Sequence, residues 1–297
     1  WGRGADEMKD MDAMILAVVR LWARHGIKPR RRIVLIFFAD EEAGGIYGSR
    51  WLTENHPEIF QDCTETISEV GGFSVTLKTG KRLYLLETSQ KGIEWIRLTA
   101  RGIASHGSLL NRDNAVTKLS QAVTNIGNFV WPQRVTKTNS VLFKKISELS
   151  GIPYEESNLR ELLAELGPAA KMIGATLTNT SNPTMLEAGY KANVIPQSAT
   201  AVVDCRTIPG YENELLPTIK EIIGPDIEVE SLVSDIPLEV DFAGELVSKM
   251  IDSILAEDPE GIVVPYVLSG GTDNKALAKL GITGYGFSPL ALPADID

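Results

Sequence analysis

The sequence predicts an α/β fold in two parts: a layered α/β unit whose chain is interrupted by a smaller α+β unit of ferredoxin-like order. Two kinds of strand point to it. Apolar runs without charge, at 33–38 and 262–267, follow helical stretches and read as strands buried on both faces of a layered sheet. Alternating runs at 92–102 and 198–206 read instead as strands covered on one face only. The alternating kind falls between two blocks of the buried kind, so one unit is inserted into the other.

Element by element, Asp10–His25 is predicted as an amphipathic helix, with Asp10 as its cap and Gly26 as its stop. Met14, Ile15, Val18, Val19 and Trp22 share one face. Arg31–Asp40 changes from basic to apolar to acidic, the pattern of a buried strand entering a polar loop. A helical stretch follows at 49–55, then a short strand at 67–70 that ends on Gly71-Gly72. In 92–102, Ile96, Leu98 and Ala100 alternate with Trp95, Arg97 and Thr99. A helix at 114–129 comes next, then a polar helix-rich stretch at 136–166. Strands at 175–179 and 198–206, a helix at 211–223 and a strand at 227–232 complete the order β–α–β–β–α–β. From about Asp235 the layered pattern returns with a helix at 242–256, the strand at 262–267, a glycine turn, a helix and a last apolar strand. The predicted division is 1–90 with 233–297 for the layered unit and 91–232 for the insert.

Composition narrows the function. The 297 residues carry 39 acidic and 29 basic side chains, a net charge of −10, which opposes a nucleic-acid surface. Two cysteines, Cys63 and Cys205, make no disulfide framework and no CxxC zinc site, so a reducing, cytoplasmic setting is expected. The apolar run 33–38 is too short to span a bilayer, so no membrane partner is expected. The chain opens on Trp1 inside a glycine-rich turn and ends at Asp297 after a loop-like stretch, so both ends are expected to be cut.

Three acid clusters stand out. Asp40-Glu41-Glu42-Ala43-Gly44-Gly45 follows the apolar run directly, where open α/β sheets build their sites. Three consecutive acids repel one another unless a cation compensates. On extended backbone adjacent side chains point opposite ways, so one of Glu41 and Glu42 could hold a metal while the other faces substrate. Ser68-Glu69-Val70-Gly71-Gly72 ends a strand with a single acid, and Gly2-Arg3-Gly4-Ala5-Asp6-Glu7 precedes a helix. Singly, these read equally well as solvated loops, a strand-end turn and a helix entry. Together they suit two divalent ions roughly 3.5–4 Å apart.

With Ala104-Ser105-His106-Gly107-Ser108, Ala192-Asn193-Val194-Ile195-Pro196, Asp204-Cys205-Arg206 and Ser269-Gly270-Gly271-Thr272-Asp273, the three clusters occur in an order that resembles the co-catalytic zinc peptidase family. That family includes aminoacylase, acetylornithine deacetylase, succinyl-diaminopimelate desuccinylase and glutamate carboxypeptidase. The resemblance covers essentially the whole chain. It implies a catalytic domain with an inserted dimerisation (lid) domain, a homodimer, and two divalent metal ions, zinc foremost with manganese or cobalt as alternatives. It implies hydrolysis of an amide in a small peptide or N-acyl amino acid beside a free carboxylate. By resemblance Glu41 is the general base, Glu7, Glu42 and Glu69 are metal ligands, and His106 stabilises the oxyanion in a partner subunit's site. Asn193, Arg206, Gly270, Gly271 and Thr272 are substrate-binding. Two rivals remain: a non-catalytic binding or dimerisation protein that kept the fold, and a hydrolase acting on esters.

The sequence departs from the family pattern in three ways. Glu7 stands where the family has its metal-bridging aspartate. The family's first metal-binding histidine lies upstream of the Gly-Arg-Gly turn and its last lies after the final strand. His25, His56 and His106 occupy neither position.

Overall fold

A computed structural model describes residues 8–294. In chain order its elements are helices α1 (Lys9–His25) and α2 (Ser49–Asn55), then strands β1 (Glu65–Ser68), β2 (Phe73–Thr76), β3 (Arg82–Gln90), β4 (Gly92–Arg101) and β5 (Ser105–His106). Helices α3 (Ala115–Asn128), α4 (Lys137–Ser150), α5 (Leu159–Ala164) and α6 (Ala170–Gly174) follow. After them come β6 (Thr180–Ala188), β7 (Val194–Ile195), β8 (Ser198–Thr207), α7 (Leu215–Ile223), β9 (Ile227–Asp235) and β10 (Leu238–Glu239). The last elements are α8 (Glu245–Glu257), β11 (Ile262–Leu268), α9 (Asn274–Ala278) and β12 (Thr283–Gly286).

The alternation in 92–102 produces the sheet it predicts. Ile96, Leu98 and Ala100 are wholly buried on β4, and Ala199, Ala201, Val203 and Cys205 repeat the pattern on β8. These side chains form one core with α3 and α7, in which each fully buried Leu, Ile or Val contributes about 1.5–3 kcal/mol. The sheet is antiparallel in the order β6-β8-β4-β9, the ferredoxin-like arrangement of its four strands. Asn114 caps α3 by accepting from the Val116 and Thr117 amides.

The second sheet is organised by β3. Its parallel partner β11 runs from Ile262 beside Leu83 to Leu268 beside Gln90. Its other edge is shared end to end by β2, β12 and β10. Sequence reading names neither β2 nor β3. The β3 run Leu83–Leu86 is apolar, but Glu87, Thr88, Ser89, Gln90 and Lys91 are polar and nevertheless buried.

Several expectations are corrected. Residues 33–38 form no strand, because no strand among the described residues pairs with them. The segment is extended and half-covered: Ile36 and Phe38 pack on Phe60, Leu277 and Ile282, while Ile33, Leu35 and Phe37 are exposed. Asp10 lies in the first turn of α1 and Met8 stands at the cap, whereas Gly26 ends the helix in the left-handed conformation as predicted. Only Met11 of α1 is buried, so the predicted apolar face is mostly open. The strand expected at 175–179 begins at Thr180. Residues 175–177 form a tight turn, held by the Thr176 hydroxyl donating to the Ile173 carbonyl and by the Asn139 amide donating to Thr176.

The span 91–232 is not one packing unit. Leu142, Phe143 and Ile146 of α4, with Leu159, Leu162 and Ile173, pack on Leu83, Leu85, Val264 and Tyr266 of the second sheet. The chain therefore leaves the four-stranded sheet after α3, covers the other sheet with α4–α6, and returns at β6.

Candidate active site

The Asp40-Glu41-Glu42 cluster sits on a tight turn. Asp40 takes a left-handed conformation (φ 55°), and its carbonyl accepts from the Ala43 and Gly45 amides. Glu41–Ala43 form one 3₁₀ turn, so Glu41 and Glu42 diverge by about 120° rather than pointing opposite ways. Glu42 is exposed and Glu41 is half-buried. The Tyr47 amide donates to Asp40 Oδ2 at 2.9 Å. Gly48 is required here, since a Cβ would stand 2.0 Å from the Ala39 carbonyl oxygen.

This turn meets the Ser269–Asp273 loop. A Cβ on Gly45 would lie 2.6 Å from Ser49 Oγ and 3.4 Å from Asp273 Oδ1. Burial raises the Asp273 carboxyl above its ordinary range, opposed by its bond with Ser49 and reinforced by Asp40. Two motifs more than 220 residues apart are therefore neighbours.

Glu69 leaves the end of β1, half-buried. The next residue, Val70, has φ 59°, a strained conformation for a β-branched residue and one concentrated at functional sites. The strain follows from packing: the Val70 and Glu69 carbonyls lie against Gly286, where a Cβ would stand 1.8 Å from the Val70 oxygen. Gly71 is pressed on Glu87 of β3. Burial pushes the Glu87 carboxyl up to about 8, against bonds from Gln90 and the Gly286 and Ser89 amides. Glu87 is a polar core residue that sequence reading missed.

Of the predicted substrate residues, Gly270, Gly271 and Thr272 lie where the two sheets join. Gln90 grips the Gly270–Thr272 loop twice: its amide nitrogen donates to Thr272 Oγ1 at 2.7 Å, and its amide oxygen accepts from the Thr272 amide at 3.0 Å. Lys275 Nζ donates to the Lys91 carbonyl at 2.6 Å, and its stem fills the space where Gly271 lacks a Cβ. Burial lowers Lys275 to about 8 and Lys91 to about 7, and the charge of Arg206 lowers both further. Arg206 therefore stands in electrostatic range of the loop. Its guanidinium holds Asp204 in a two-point bond, Nε to Oδ1 at 2.6 Å and Nη2 to Oδ2 at 3.0 Å. Asp235 closes the cluster, accepting from Arg50 at 2.9 Å and facing Lys279 at 3.8 Å. The run Glu87–Lys91 that forms this buried polar seam reads in sequence as an exposed turn, so no local pattern marks it.

His106 and Asn193 are also brought together. Strands β5 and β7 form a separate two-stranded ribbon, with His106 opposite Val194. Asn193 Nδ2 lies 3.3 Å from His106 Nε2, and Ser108 Oγ lies 2.8 Å from His106 Nδ1. Both side chains are exposed.

Glu7 lies outside the described residues. Among the described residues no three His, Cys, Asp or Glu side chains are grouped closely enough to hold a metal ion. Glu42 and Glu69 supply two carboxylates, and a metal centre needs further ligands beside them.

The sequence pattern of peptidase family M20/M25/M40 matches residues 1–294. The chain belongs to that family. Its relatives include a probable carboxypeptidase S-like protein of Dictyostelium discoideum, 27% identical over 98% of this chain and 59% of the relative. Human aminoacylase-1 is 24% identical over 98% of this chain and 64% of its own length. The chain thus spans about three-fifths of the length of these relatives. Its fold is like that of the M20 metallo-carboxypeptidase Sso-CP2 from Sulfolobus solfataricus, with TM-score 0.54, 17% identity, and coverage of 80% of this chain and 58% of that one. Human carnosine dipeptidase 1 gives TM-score 0.53 at 11% identity, covering 83% of this chain and 56% of that one. M20 peptidases of this kind pair a catalytic domain with an inserted dimerisation domain, and the two sheets of this chain follow that layered α/β and α+β plan. No helix among the described residues is long and apolar enough to cross a membrane.

Proposed function

We propose that the complete protein hydrolyses the amide bond of a small peptide or N-acyl amino acid beside a free carboxylate. The observation that carries this reading is the cationic seam at the junction of the sheets. Lys275 packs against Gly271 and Arg206 lies within electrostatic range of it, and each lowers the cost of bringing a carboxylate there. The named activities of the aminoacylase and carboxypeptidase relatives agree with it.

In this reading Glu41 takes the proton of the attacking water and returns it to the leaving amine. Arg206 shares its fork between Asp204 and the substrate carboxylate, and the Gly270–Thr272 amides complete the cradle. His106, oriented by Ser108 and Asn193, donates to the developing oxyanion in a partner subunit's site. Support for the homodimer comes from β6, an edge strand of the four-stranded sheet with Met185 and Leu186 exposed. Metal dependence is part of the proposal: Glu42 and Glu69, together with Glu7, would hold divalent ions such as zinc, which would supply Lewis-acid polarisation of the amide carbonyl. Two free cysteines support a reducing, cytoplasmic setting.

The test is turnover by the complete protein on dipeptides and N-acyl amino acids, each paired with its carboxamide analogue. Carboxylate substrates are cleaved and their amidated partners are not, and Glu41→Gln lowers kcat by about 10²–10⁴. Equal cleavage of the amidated partners removes the carboxylate reading. The rival reading is a binding protein that kept the fold. Tight binding of carboxylate ligands with no turnover, metal supplied, selects it.

A further inference from the structure

We propose that Lys91 is a positioning residue that sets how the two sheets meet and, through that junction, where the loop Gly270–Thr272 stands.

The chain passes between the sheets at four places, and three of them lie together at this junction, the crossing from α3 to α4 being the other. Lys91 is the one residue between the end of β3 in the second sheet and the start of β4 in the four-stranded sheet. The second passage runs from α6 to β6 through 175–180, and the third from β9 to β10 through 235–238. All three are packed together. A Cβ on Gly92 would stand 2.3 Å from Thr207 Oγ1 and 3.0 Å from both the Asp235 carbonyl oxygen and Pro237 Cδ.

Lys91 joins the first passage to the second. Its ammonium, 1% exposed as a residue, donates to the Ala175 carbonyl at 2.9 Å, the Thr178 carbonyl at 2.8 Å and Thr180 Oγ1 at 3.3 Å. A side chain that served only to fill this space needs no charge, and burial already pushes this amine down to about 7. Its three protons instead satisfy groups of the turn that carries the chain back into the four-stranded sheet. The backbone of the same residue is anchored in the other sheet: its amide donates to the Leu268 carbonyl at 2.9 Å, and its carbonyl accepts from Lys275. Gln90, one residue earlier, holds Thr272 through two bonds. Two consecutive residues therefore grip the loop with one side chain and the passage with the other. A shift of the passage moves β3's end, and β3's end moves the loop.

The distance arm of the test stands without any assumption about activity; the kinetic arm rests on the amide-hydrolase reading. In the complete protein carrying Cys63→Ser, spin labels at Ser120→Cys on α3 and Ala256→Cys on α8, both exposed, report the separation of the two units by double electron–electron resonance. Lys91→Met broadens that distance distribution and raises KM for carboxylate substrates about 10- to 100-fold with kcat less affected. A merely structural lysine lowers the unfolding midpoint and leaves both the distribution and KM unchanged; that outcome overturns the proposal. So does a broadened distribution with unchanged KM, which separates the junction from the loop. If Lys91→Met does not fold, Thr180→Val removes only the longest of the three bonds, and its distribution decides in the same way. If the protein cleaves no amide substrate, the proposed function fails while the distance measurement still decides the role of Lys91.

Discussion

Replacing Lys275 with methionine isolates one buried charge and makes its cost measurable. The side chain is 2% exposed, and its ammonium donates to the Lys91 carbonyl. Burial lowers it from 10.5 to about 8. Between those two values the folded state binds fewer protons at this site than the unfolded state, so stability rises with pH through that window. At about 1.4 kcal/mol per pH unit the gap corresponds to roughly 3 kcal/mol. Below pH 8 the wild-type protein carries that whole cost. Methionine removes it but leaves the Lys91 carbonyl without its donor, a loss of about 1–3 kcal/mol. At pH 7 the variant is therefore as stable as the wild type, or more stable by up to about 2 kcal/mol. Near pH 10 the wild-type amine is mostly neutral and still donates, so the variant is less stable by roughly 1–2 kcal/mol. Paired urea titrations at pH 7, 8.5 and 10 read the difference, in which titrations common to both proteins cancel. A difference that stays constant across the three pH values refutes the reasoning, because it means that Lys275 titrates alike folded and unfolded.

Two further substitutions probe the packing. Phe143→Ala lowers unfolding free energy by about 3–5 kcal/mol, since the ring is wholly buried between α4 and the second sheet; in hydrogen exchange it loosens β3 and β11 before β4 and β8, and the reverse order contradicts the assignment of α4 to that sheet. Gly286→Ala forces a methyl to 1.8 Å from the Val70 carbonyl and 2.7 Å from Glu87 Cβ. It destabilises by roughly 1–3 kcal/mol and displaces the Glu69 turn, and a thermal midpoint equal to the wild type shows that the turn yields freely.

The parts of the fold that sequence reveals are those whose burial is decided locally. One covered face makes β4 and β8 alternate, and that periodicity survives in the residues themselves. The run 33–38 misleads for the same reason in reverse: its composition is apolar throughout, yet only every second side chain is covered and no strand among the described residues completes a ladder. β3 is invisible because its second half is polar. Those polar residues are buried only by partners far along the chain, as Gln90 is by Thr272, 182 positions away. The α4–α6 segment sits between two elements of one sheet in sequence and packs on the other in space, which no local pattern encodes.

The site divides along the same line. Acid clusters, the His106 string and the glycine loop are contiguous, because a turn or a cradle needs several neighbouring residues of fixed type. What places them is dispersed. His106 and Asn193, 87 positions apart, meet through a ribbon of two residues per strand, too short for any period to show. Lys91 is the extreme case. In the string Ser89-Gln90-Lys91-Gly92 it has the composition of an exposed turn, and lysine is among the residues least often buried. Its burial is a consequence of two sheets meeting at one residue, where a charged donor is the side chain able to satisfy three oxygens of the returning chain at once. Residues that bind or react can be read as motifs, whereas a residue that holds two units together is recognisable only after both units exist.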